Sequence, residues 1–480
     1  MMKKTINHTL SKKRKSAVCC GCLIALAITI LLPFSSLQAA PSLSPFKSLA
    51  YQTDSRAMGA RSLEEGGPVF RDTIQIPGAI WVRLQFGDCH LGAKSYVVIT
   101  SLEDGLDQHL NSKSMADYRN RSAFFNGDGV TVELYTDPED ENVFITIDTV
   151  YYGEPQEFGS GATEDGELLP KVICGSDDRT AASDPAVGRF VFFDFSSNMV
   201  AKCTAWIAAS GAYLSAGHCF QRSDYGDPDL LEFNVPLSDA DGSPNFADPD
   251  DQYPIDLTSF LRHENGQGDD YSVFDCNPNS DTGLLPVQGQ NDFFRTAKVA
   301  DLSTPTSIRI TGYGIDDGTA NRTLQTDAGP YITENGSGSV VSVEYQVDTM
   351  SGNSGGPVII NGTETSLGVH AHGGCDPGSG EGNHGTSFEN NALESALQNF
   401  FGSNVKYVDV GHPISPGLEN GTVLRPYDTV LEGVTSASSG AQIRIAAGTY
   451  SSAAGNTFTL GDDGKSMLLL APVGSVIIGN

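Results

Sequence analysis

The most constraining feature of this sequence is a rhythm of short runs in which apolar and polar residues alternate. Four runs show it near the N-terminal end, at residues 81–86, 96–100, 130–134 and 143–147. Such alternation is the pattern of a half-buried β-strand. Turn-forming residues such as Asn126-Gly127-Asp128-Gly129 separate the runs, and the chain holds 53 glycines among 480 residues. Residues 391–401 have helical spacing, but long amphipathic periodicity is otherwise lacking. The sequence therefore predicts an all-β fold.

The N-terminus has the three parts of an export signal. Residues 17–32 form an apolar run, and Leu37-Gln38-Ala39-Ala40 supplies small residues for cleavage. A basic stretch precedes the run, made of Lys3, Lys4, Lys12, Lys13, Arg14 and Lys15. The alternative is an uncleaved membrane anchor, but the run is shorter than the roughly 20 residues that span a bilayer. We expect a signal peptide at residues 1–40, no stable membrane span after its cleavage, and secretion to the cell exterior or the periplasm.

The overall charge narrows the class of partner. The formal net charge is −30, which excludes a general nucleic-acid binder because phosphate binding needs clustered Lys and Arg. An acidic surface is a common means of staying soluble outside the cell. No metal, nucleotide or redox motif stands out, so neither a cofactor nor a metal is expected.

Composition divides the rest of the chain into four parts. Residues 41–152 carry the alternating runs and are expected to form a β-sandwich-like domain, either a pro-domain or a binding domain. Residues 153–171 form an acidic linker without hydrophobic periodicity. Residues 172–402 contain many short β-like runs, and the chemistry described next lies there. Residues 403–480 hold short strands with glycine turns, which predict a β-helix-like module of about two coils.

Three separated residues could form a nucleophilic site. Ser354 lies in the turn Gly352-Asn353-Ser354-Gly355-Gly356-Pro357, just before the apolar run 358–360. A serine hydroxyl is a poor nucleophile without a base. His218, in the segment Ser215-Ala216-Gly217-His218-Cys219, is the candidate base, and a Cys203–Cys219 disulfide would pin its ring. Asp270 opens the apolar strand 270–274 and is the candidate carboxylate, with Asp269 the nearest competitor and Asp256 a more distant one.

These motifs resemble the chymotrypsin-like serine peptidases. His218-Cys219, the turn around Ser354 and Gly312-Tyr313-Gly314 match elements of that family, in the family's order. The resemblance implies two β-barrels within residues 172–402, a Ser-His-Asp triad acting through an acyl-enzyme, and an oxyanion hole formed by the backbone N–H groups of Gly352 and Ser354. Asn353 departs from the aspartate of the animal digestive members, so activation by a freed N-terminus is not expected.

The resemblance leaves two readings of the substrate pocket. Asp348, six residues before the nucleophile, is where tryptic members carry the acid that binds Arg or Lys. Asp348-Thr349 also resembles bacterial glutamyl endopeptidases, and His370 falls where they place a carboxylate-binding histidine. We include Gly373 in this substrate-binding group. The linker 153–171 favours the acidic preference, because it offers five acidic residues and a single basic one, Lys171, for self-cleavage.

Six cysteines remain after the signal peptide, and none forms a zinc-type Cys-x-x-Cys pair. Similarity to lysyl-type bacterial endopeptidases implies a Cys174–Cys375 bond, and Cys89 would then pair with Cys276. Four cysteines allow three pairings, so the alternatives stay open. Residues 41–152 also resemble, weakly, the β-rich pro-region of some of these enzymes.

The combined expectation is a secreted serine endopeptidase acting on protein or peptide substrates, with a possible acidic preference at the residue before the cut. The alternative within this class is a basic preference. The alternative from another class is an adhesive or carbohydrate-binding surface protein whose catalytic domain is silent, which the flanking β modules keep open.

Overall fold

The computed structural model describes most of the chain after the predicted signal peptide. The described residues are 42–58, 67–155, 172–195, 198–220, 228–375, 378, 380–415, 417–454, 456 and 464–479. The predicted signal peptide and most of the predicted linker lie outside these ranges. Below, residues 42–155 are the N-terminal module, residues 172–402 the central module and residues 403–479 the C-terminal module.

The N-terminal module consists mainly of two four-stranded antiparallel sheets. In chain order its elements are β1 (Ser42–Pro45), β2 (Lys47–Asp54), β3 (Phe70–Gln75), β4 (Trp81–His90), β5 (Tyr96–Ser101), β6 (Asp107–Asn111), α1 (Ser112–Asp117), β7 (Phe125–Asn126), β8 (Gly129–Tyr135) and β9 (Phe144–Gly153). The sheets have the strand orders β2-β9-β4-β7 and β3-β8-β5-β6. Alternation in β8 shows why they pack together: Val130, Val132 and Leu134 are buried in the shared core, while the residues between them are only partly buried.

The central module contains fourteen strands and two helices among its described residues. They are β10 (Thr180–Ala181), β11 (Val187–Asp194), β12 (Met199–Ile207), β13 (Tyr213–Ser215), β14 (Pro228–Glu232), β15 (Gln252–Glu264), β16 (Asp270–Cys276), α2 (Pro286–Gln290), β17 (Arg295–Thr296), β18 (Ser307–Gly312), β19 (Gln325–Ser337), β20 (Val340–Tyr345), β21 (Pro357–Ile360), β22 (Thr365–His372), β23 (Asn383–Ser387) and α3 (Asn391–Asn399).

Two closed six-stranded barrels organise these strands. The first has the order β12-β11-β14-β15-β16-β13 and closes through β13 and β12, and the second has the order β19-β18-β21-β22-β23-β20 and closes through β20 and β19. Closure removes the exposed sheet edges that a flat sheet would leave. The predicted all-β fold with a two-barrel domain is therefore confirmed.

The C-terminal module is a three-stranded parallel sheet with one helix. Its elements are β24 (Val405–Val408), α4 (Val430–Ser436), β25 (Ala441–Tyr450) and β26 (Met467–Ile478). Two bidentate ion pairs fasten it to the central module, Arg295 with Asp409 and Arg425 with Asp301. Buried side chains of the module, Tyr407 among them, join the same hydrophobic cluster as the first barrel.

The N-terminal module contacts the first barrel through a strand pairing and through aromatic packing. Its first strand, β1, pairs antiparallel with β12, with Ser42 opposite Lys202, and so adds a seventh strand to the sheet of that barrel. The sequence predicts that these residues belong to the separate N-terminal domain. The pairing joins residues far apart in sequence, which local periodicity cannot reveal. In the aromatic contact, the rings of Phe124 and Phe246 stack with centroids 3.8 Å apart.

A buried ion pair also joins the N-terminal module to the barrel. Arg83 on β4 donates from both terminal nitrogens to the carboxylate of Asp229 on β14, and both side chains are almost fully buried. Arg121 lies 3.4 Å from the same carboxylate. Burial lowers the pKa of Arg83, whereas for Asp229 the nearby arginines outweigh burial and lower the pKa of its carboxyl. Each group offsets part of the cost of burying the other.

No helix in the described part of the chain is both long and apolar enough to cross a membrane.

The Arg83–Asp229 pair can be tested by removing one partner. In a Ser354→Ala background, which removes the predicted nucleophile, we expect Arg83→Met to lower the free energy of unfolding by roughly 3 kcal/mol, because an unpaired charge stays buried. The matched control is Arg71→Met, which breaks a half-exposed pair with Glu133 and is expected to cost about 1 kcal/mol or less. Urea unfolding measures both. Equal losses in the two variants would show that the buried pair does not hold the module.

Candidate functional site

The predicted base and its carboxylate are brought together by neighbouring strands of the first barrel. His218 lies on a short 3₁₀ helix, Gly217–Phe220, directly after β13, and Asp270 is the first residue of β16. These strands pair antiparallel, with Ser215 opposite Ser272. The ring Nδ1 of His218 lies 2.8 Å from Asp270 Oδ2, and the backbone N–H of His218 donates to Oδ1 at 3.0 Å. Both oxygens of one carboxylate are thus fixed by one residue.

Further contacts hold Asp270 in place and keep its carboxylate charged. The backbone N–H of Asp270 donates to Thr386 Oγ1 at 3.0 Å, and that hydroxyl donates back to the Asp270 carbonyl at 2.9 Å. His372 Nε2 lies 3.3 Å from Oδ2. Burial raises the pKa of Asp270, but the charge and hydrogen bond of His218, together with His372, outweigh it and hold the pKa well below its ordinary value.

The two competing acids have other partners. Asp269 accepts a hydrogen bond from Asn265 Nδ2 and lies 3.3 Å from His263 Nδ1. Asp256 accepts hydrogen bonds from Thr258 within its own turn. Of the three candidates, Asp270 is the one in hydrogen-bond contact with His218.

The turn that carries Ser354 is held by the first barrel. Thr204 on β12 donates from its backbone N–H to the Ser354 carbonyl and from Oγ1 to the Gly352 carbonyl, each at 2.8 Å. Gly355 has φ of +91°, and a Cβ there would collide with the Thr204 carbonyl. The turn therefore requires glycine at this position. The geometry shows why a glycine-rich sequence surrounds the serine.

Asn353 stabilises the same turn from inside. Its side-chain oxygen accepts the Met350 N–H at 2.8 Å, and its side chain lies against Gly312 and Gly314, where a Cβ would collide with it. A neutral amide thus makes the internal contact at the residue before the serine. The Gly-aromatic-Gly segment noted in the sequence serves to make room for Asn353.

The reactive atoms have no competing partners. Ser354 Oγ and His218 Nε2 are both buried, and neither has a hydrogen-bond partner among the described residues. Within that same part of the chain, the backbone N–H groups of Gly352 and Ser354 also lack an acceptor. Cys219 Sγ lies 3.7 Å from the Ser354 carbonyl, which places the histidine segment beside the serine turn. A hydroxyl, a ring nitrogen and two N–H donors are therefore left unengaged at one place.

The predicted pocket residues are buried but differ in how they are engaged. Asp348 accepts the backbone N–H groups of Cys174 at 2.6 Å and Asp178 at 2.9 Å, one on each oxygen. Burial raises the pKa of Asp348, partly offset by those two hydrogen bonds. Gly373 directly follows β22, and its backbone groups have no hydrogen-bond partner within the described ranges. Asp348 thus anchors the start of the central module.

Thr349 and His370 each retain an available hydrogen-bond donor. Thr349 Oγ1 accepts a hydrogen bond from Asn383 Nδ2 at 3.1 Å, so its own proton remains available. His370 Nδ1 lies 2.7 Å from the Tyr345 hydroxyl, while its Nε2 is buried without a partner among the residues described. Burial, followed by repulsion from the neighbouring histidines, lowers the pKa of His370 to about 3. The ring is therefore neutral near pH 7, not charged.

Two residues of this region went unnoticed in the sequence. Asn383 is fully buried and donates to the carbonyls of Val172 and Val347 as well as to Thr349, while its oxygen accepts the N–H of Gly374. Tyr345 fixes the ring of His370. A lone Asn and a lone Tyr within strand-forming sequence carry no signal that would have singled them out.

Two of the three expected disulfides are present. Cys203–Cys219 has a Cα–Cα distance of 6.2 Å and Cys174–Cys375 one of 5.0 Å. Cys203 and Cys219 lie beside His218 in a cluster that would suit a metal, but their sulfurs are bonded to each other and cannot be thiolate ligands.

The expected Cys89–Cys276 bond is wrong. Both are free thiols: Cys89 lies on β4 of the N-terminal module, and Cys276 is buried in the core around the first barrel. Burial raises the pKa of Cys89 to about 11 and that of Cys276 well above its ordinary value. Elimination among the four remaining cysteines predicts the Cys89–Cys276 bond, because it follows once Cys174 pairs with Cys375. In the structure, packing and an ion pair join the modules instead.

Part of this chain is similar to proteases of known structure. No curated protein matches the sequence. Among solved structures, a Glu endopeptidase is similar at 19% identity, with 45% of this chain and 94% of that chain covered and a TM-score of 0.33. A protease from M. tuberculosis in its active form has 13% identity, 45% and 81% coverage and a TM-score of 0.30. The protease Anisep from Arthrobacter nicotinovorans is similar at 14% identity, with 44% of this chain and 93% of that chain covered and a TM-score of 0.31.

A family model described as Trypsin matches residues 175–388, a little under half of the chain. The match spans both barrels and includes His218, Asp270 and Ser354. The central module has a trypsin-like serine protease fold, and most of it matches the Trypsin family model.

Proposed function

We propose that this protein is a secreted serine endopeptidase that hydrolyses peptide bonds through Ser354, His218 and Asp270. The observation that carries the proposal is the buried His218–Asp270 pair, with Nδ1 and Oδ2 2.8 Å apart, beside a turn with two positive-φ glycines that presents an unengaged serine hydroxyl. The trypsin-family domain supports a hydrolase of the serine protease class. Polypeptides are the substrates that this fold implies.

The proposed mechanism follows from the atoms left unengaged. His218 Nε2 takes the proton of Ser354 Oγ as the oxygen attacks the substrate carbonyl, and returns it to the leaving amine. Asp270 holds Nδ1–H and stabilises the imidazolium that forms. The N–H groups of Gly352 and Ser354 stabilise the oxyanion, where losing one donor typically costs about 100–1,000-fold in rate. Water then takes the place of the amine. His218 removes its proton as it attacks the acyl carbonyl and returns that proton to the departing Ser354 Oγ.

The turn chemistry supports activity without a freed N-terminus. In a serine peptidase of this fold, the turn must hold the N–H groups of Gly352 and Ser354 toward the substrate. Here Asn353 bonds to Met350 within the turn, and Thr204 bonds to the carbonyls of Gly352 and Ser354. All three contacts lie within the central module. We propose that they form the oxyanion hole independently of any cleavage at the linker.

Secretion is part of the proposal. The basic, apolar and small-residue segments at residues 1–40 fit an export signal, and two disulfides fit an oxidising compartment. The adhesive or carbohydrate-binding alternative gains no support, since no observation on the described residues favours a carbohydrate ligand.

Ser354→Ala tests the nucleophile. We expect the variant to lose casein hydrolysis and labelling by a fluorophosphonate probe, because the attacking oxygen is gone. Ser351→Ala, three residues away in the same turn, is the matched control and should retain both. Casein cleavage by Ser354→Ala at the wild-type rate would end the proposal.

We further propose an acidic preference for the residue before the cut. Both oxygens of Asp348 already accept backbone N–H groups, so this carboxylate is poorly placed to pair with an incoming Arg or Lys. Thr349 and His370 instead retain donors, as a bound carboxylate requires. With the Tyr345 hydroxyl donating to Nδ1, the proton of neutral His370 lies on Nε2. Recognition would then use neutral hydrogen bonds and not a charged imidazole.

Peptides that differ only at the residue before the cut test this preference. We expect kcat/KM for Glu to exceed that for Gln and Lys, and Thr349→Val to lower the Glu value roughly tenfold by removing one donor to a charged group. Asp348→Asn should leave the ratio of kcat/KM for Glu to that for Lys largely unchanged, because both wild-type oxygens are engaged by the backbone. N-termini of the processed protein that follow Lys or Arg, or a library profile dominated by basic residues, would overturn the acidic preference.

The charged state of Asp270 predicts a pH effect on stability. Because the folded-state pKa lies below the ordinary value of 3.8, the contribution of Asp270 is fully present above that pH and is lost as pH falls through the folded-state pKa. The gap in unfolding free energy between the Ser354→Ala protein and Ser354→Ala/Asp270→Asn should therefore shrink as pH drops below about 4. Urea unfolding from pH 5 to pH 2 measures the gap. A gap that widens on acidification would contradict a buried anion.

A further inference from the structure

A second histidine lies against the carboxylate of Asp270. His372, the last residue of β22, places Nε2 3.3 Å from Asp270 Oδ2, the oxygen that also contacts His218 Nδ1. The His372 side chain is 2% exposed, and its ring lies 6.3 Å from the ring of His218 between centroids. One carboxylate oxygen is therefore approached by two imidazoles from two different strands.

The fold brings His372 to this place through an irregularity in β22. In the pairing of β22 with β23, His370 lies opposite Gly385 and His372 opposite His384, so β22 has one extra residue, Ala371. An extra residue of this kind bends a strand and redirects a side chain. His370 reaches Tyr345, whereas His372 reaches Asp270. The two histidines are two residues apart but serve different partners.

The ring of His372 has no other use within the described part of the chain. Both of its nitrogens are buried without a well-aligned hydrogen bond. A buried polar group without a partner costs free energy, so such groups normally find one. Asp270 is the acid recorded within ion-pair distance of His372. A small rotation that aligns Nε2–H with Oδ2 would satisfy both groups.

We propose that His372 is a positioning residue that donates a hydrogen bond from Nε2 to the Asp270 carboxylate. This inference rests on the proposed peptidase function. A second donor on Oδ2 fixes the carboxylate plane and lowers the basicity of the oxygen that faces His218. The proton shared between His218 and Asp270 then stays on His218, as general-base catalysis requires.

Two substitutions test the donor. His372→Gln keeps an N–H donor, and His372→Phe keeps the volume without a donor. We expect His372→Phe to lower kcat roughly tenfold with KM within about twofold, the usual effect of losing one hydrogen bond to a charged group. His372→Gln should recover most of that loss. The matched control is His263→Gln, whose histidine also lies 3.3 Å from an aspartate, Asp269, outside the site.

Two readouts would not move if the role of His372 were merely structural. The first is recovery of kcat by His372→Gln with KM unchanged. The second is the proton between His218 Nδ1 and Asp270 Oδ2, which should be strongly deshielded in the ¹H NMR spectrum of the wild type and should weaken or shift in His372→Phe. Unchanged kcat and an unchanged proton signal in both variants would overturn the inference.

Two measurements separate the possible failures. A wild type that neither hydrolyses peptides nor reacts with a fluorophosphonate would mean that the proposed peptidase function has failed. If His372→Phe fails to fold, as seen by its thermal unfolding, His372→Ala, which also lacks a donor, takes its place. Wild-type kcat in a folded His372→Ala would overturn the inference.

Discussion

The site depends on two hydrogen bonds that run from Thr204 in the first barrel to the serine turn of the second. One joins the Thr204 N–H to the Ser354 carbonyl, and the other joins the Thr204 hydroxyl to the Gly352 carbonyl. Because the carbonyls of the turn are held by one barrel, the N–H groups of the turn are left pointing elsewhere. The proposed acid and base lie in the first barrel and the proposed nucleophile before a strand of the second, so this contact sets the geometry between them.

The local parts of this arrangement could be predicted from the sequence. Alternation of apolar residues gives the strands, and the short segments around His218, Asp270 and Ser354 carry their chemistry in a few neighbouring residues. The Cys203–Cys219 bond could also be anticipated, since both cysteines lie near one hairpin. Where several motifs occur in a fixed order along the chain, the two-barrel fold follows from the resemblance.

The long-range parts could not be predicted. Pairing of β1 with β12, the Arg83–Asp229 ion pair and the contact between His372 and Asp270 each join residues that no local pattern connects. Asp348 illustrates the same limit at the pocket. Its position in the sequence is compatible with a specificity acid, but both of its oxygens bond to the backbone at the start of the module. The predicted Cys89–Cys276 bond was wrong for the same reason, because the positions of cysteines in a sequence do not give the distances between them.

The added strand β1 has a consequence for how the protein is made. It is synthesised before the rest of the N-terminal module, yet its partner β12 follows that module and the linker. During synthesis from the N-terminus, β1 must therefore wait with its backbone groups unpaired until the first barrel forms. Contacts between such distant segments also slow folding. Pairing of β1 with β12 is thus completed only after the first barrel has formed, and interruption of the chain before β12 leaves an open strand edge available for misassembly.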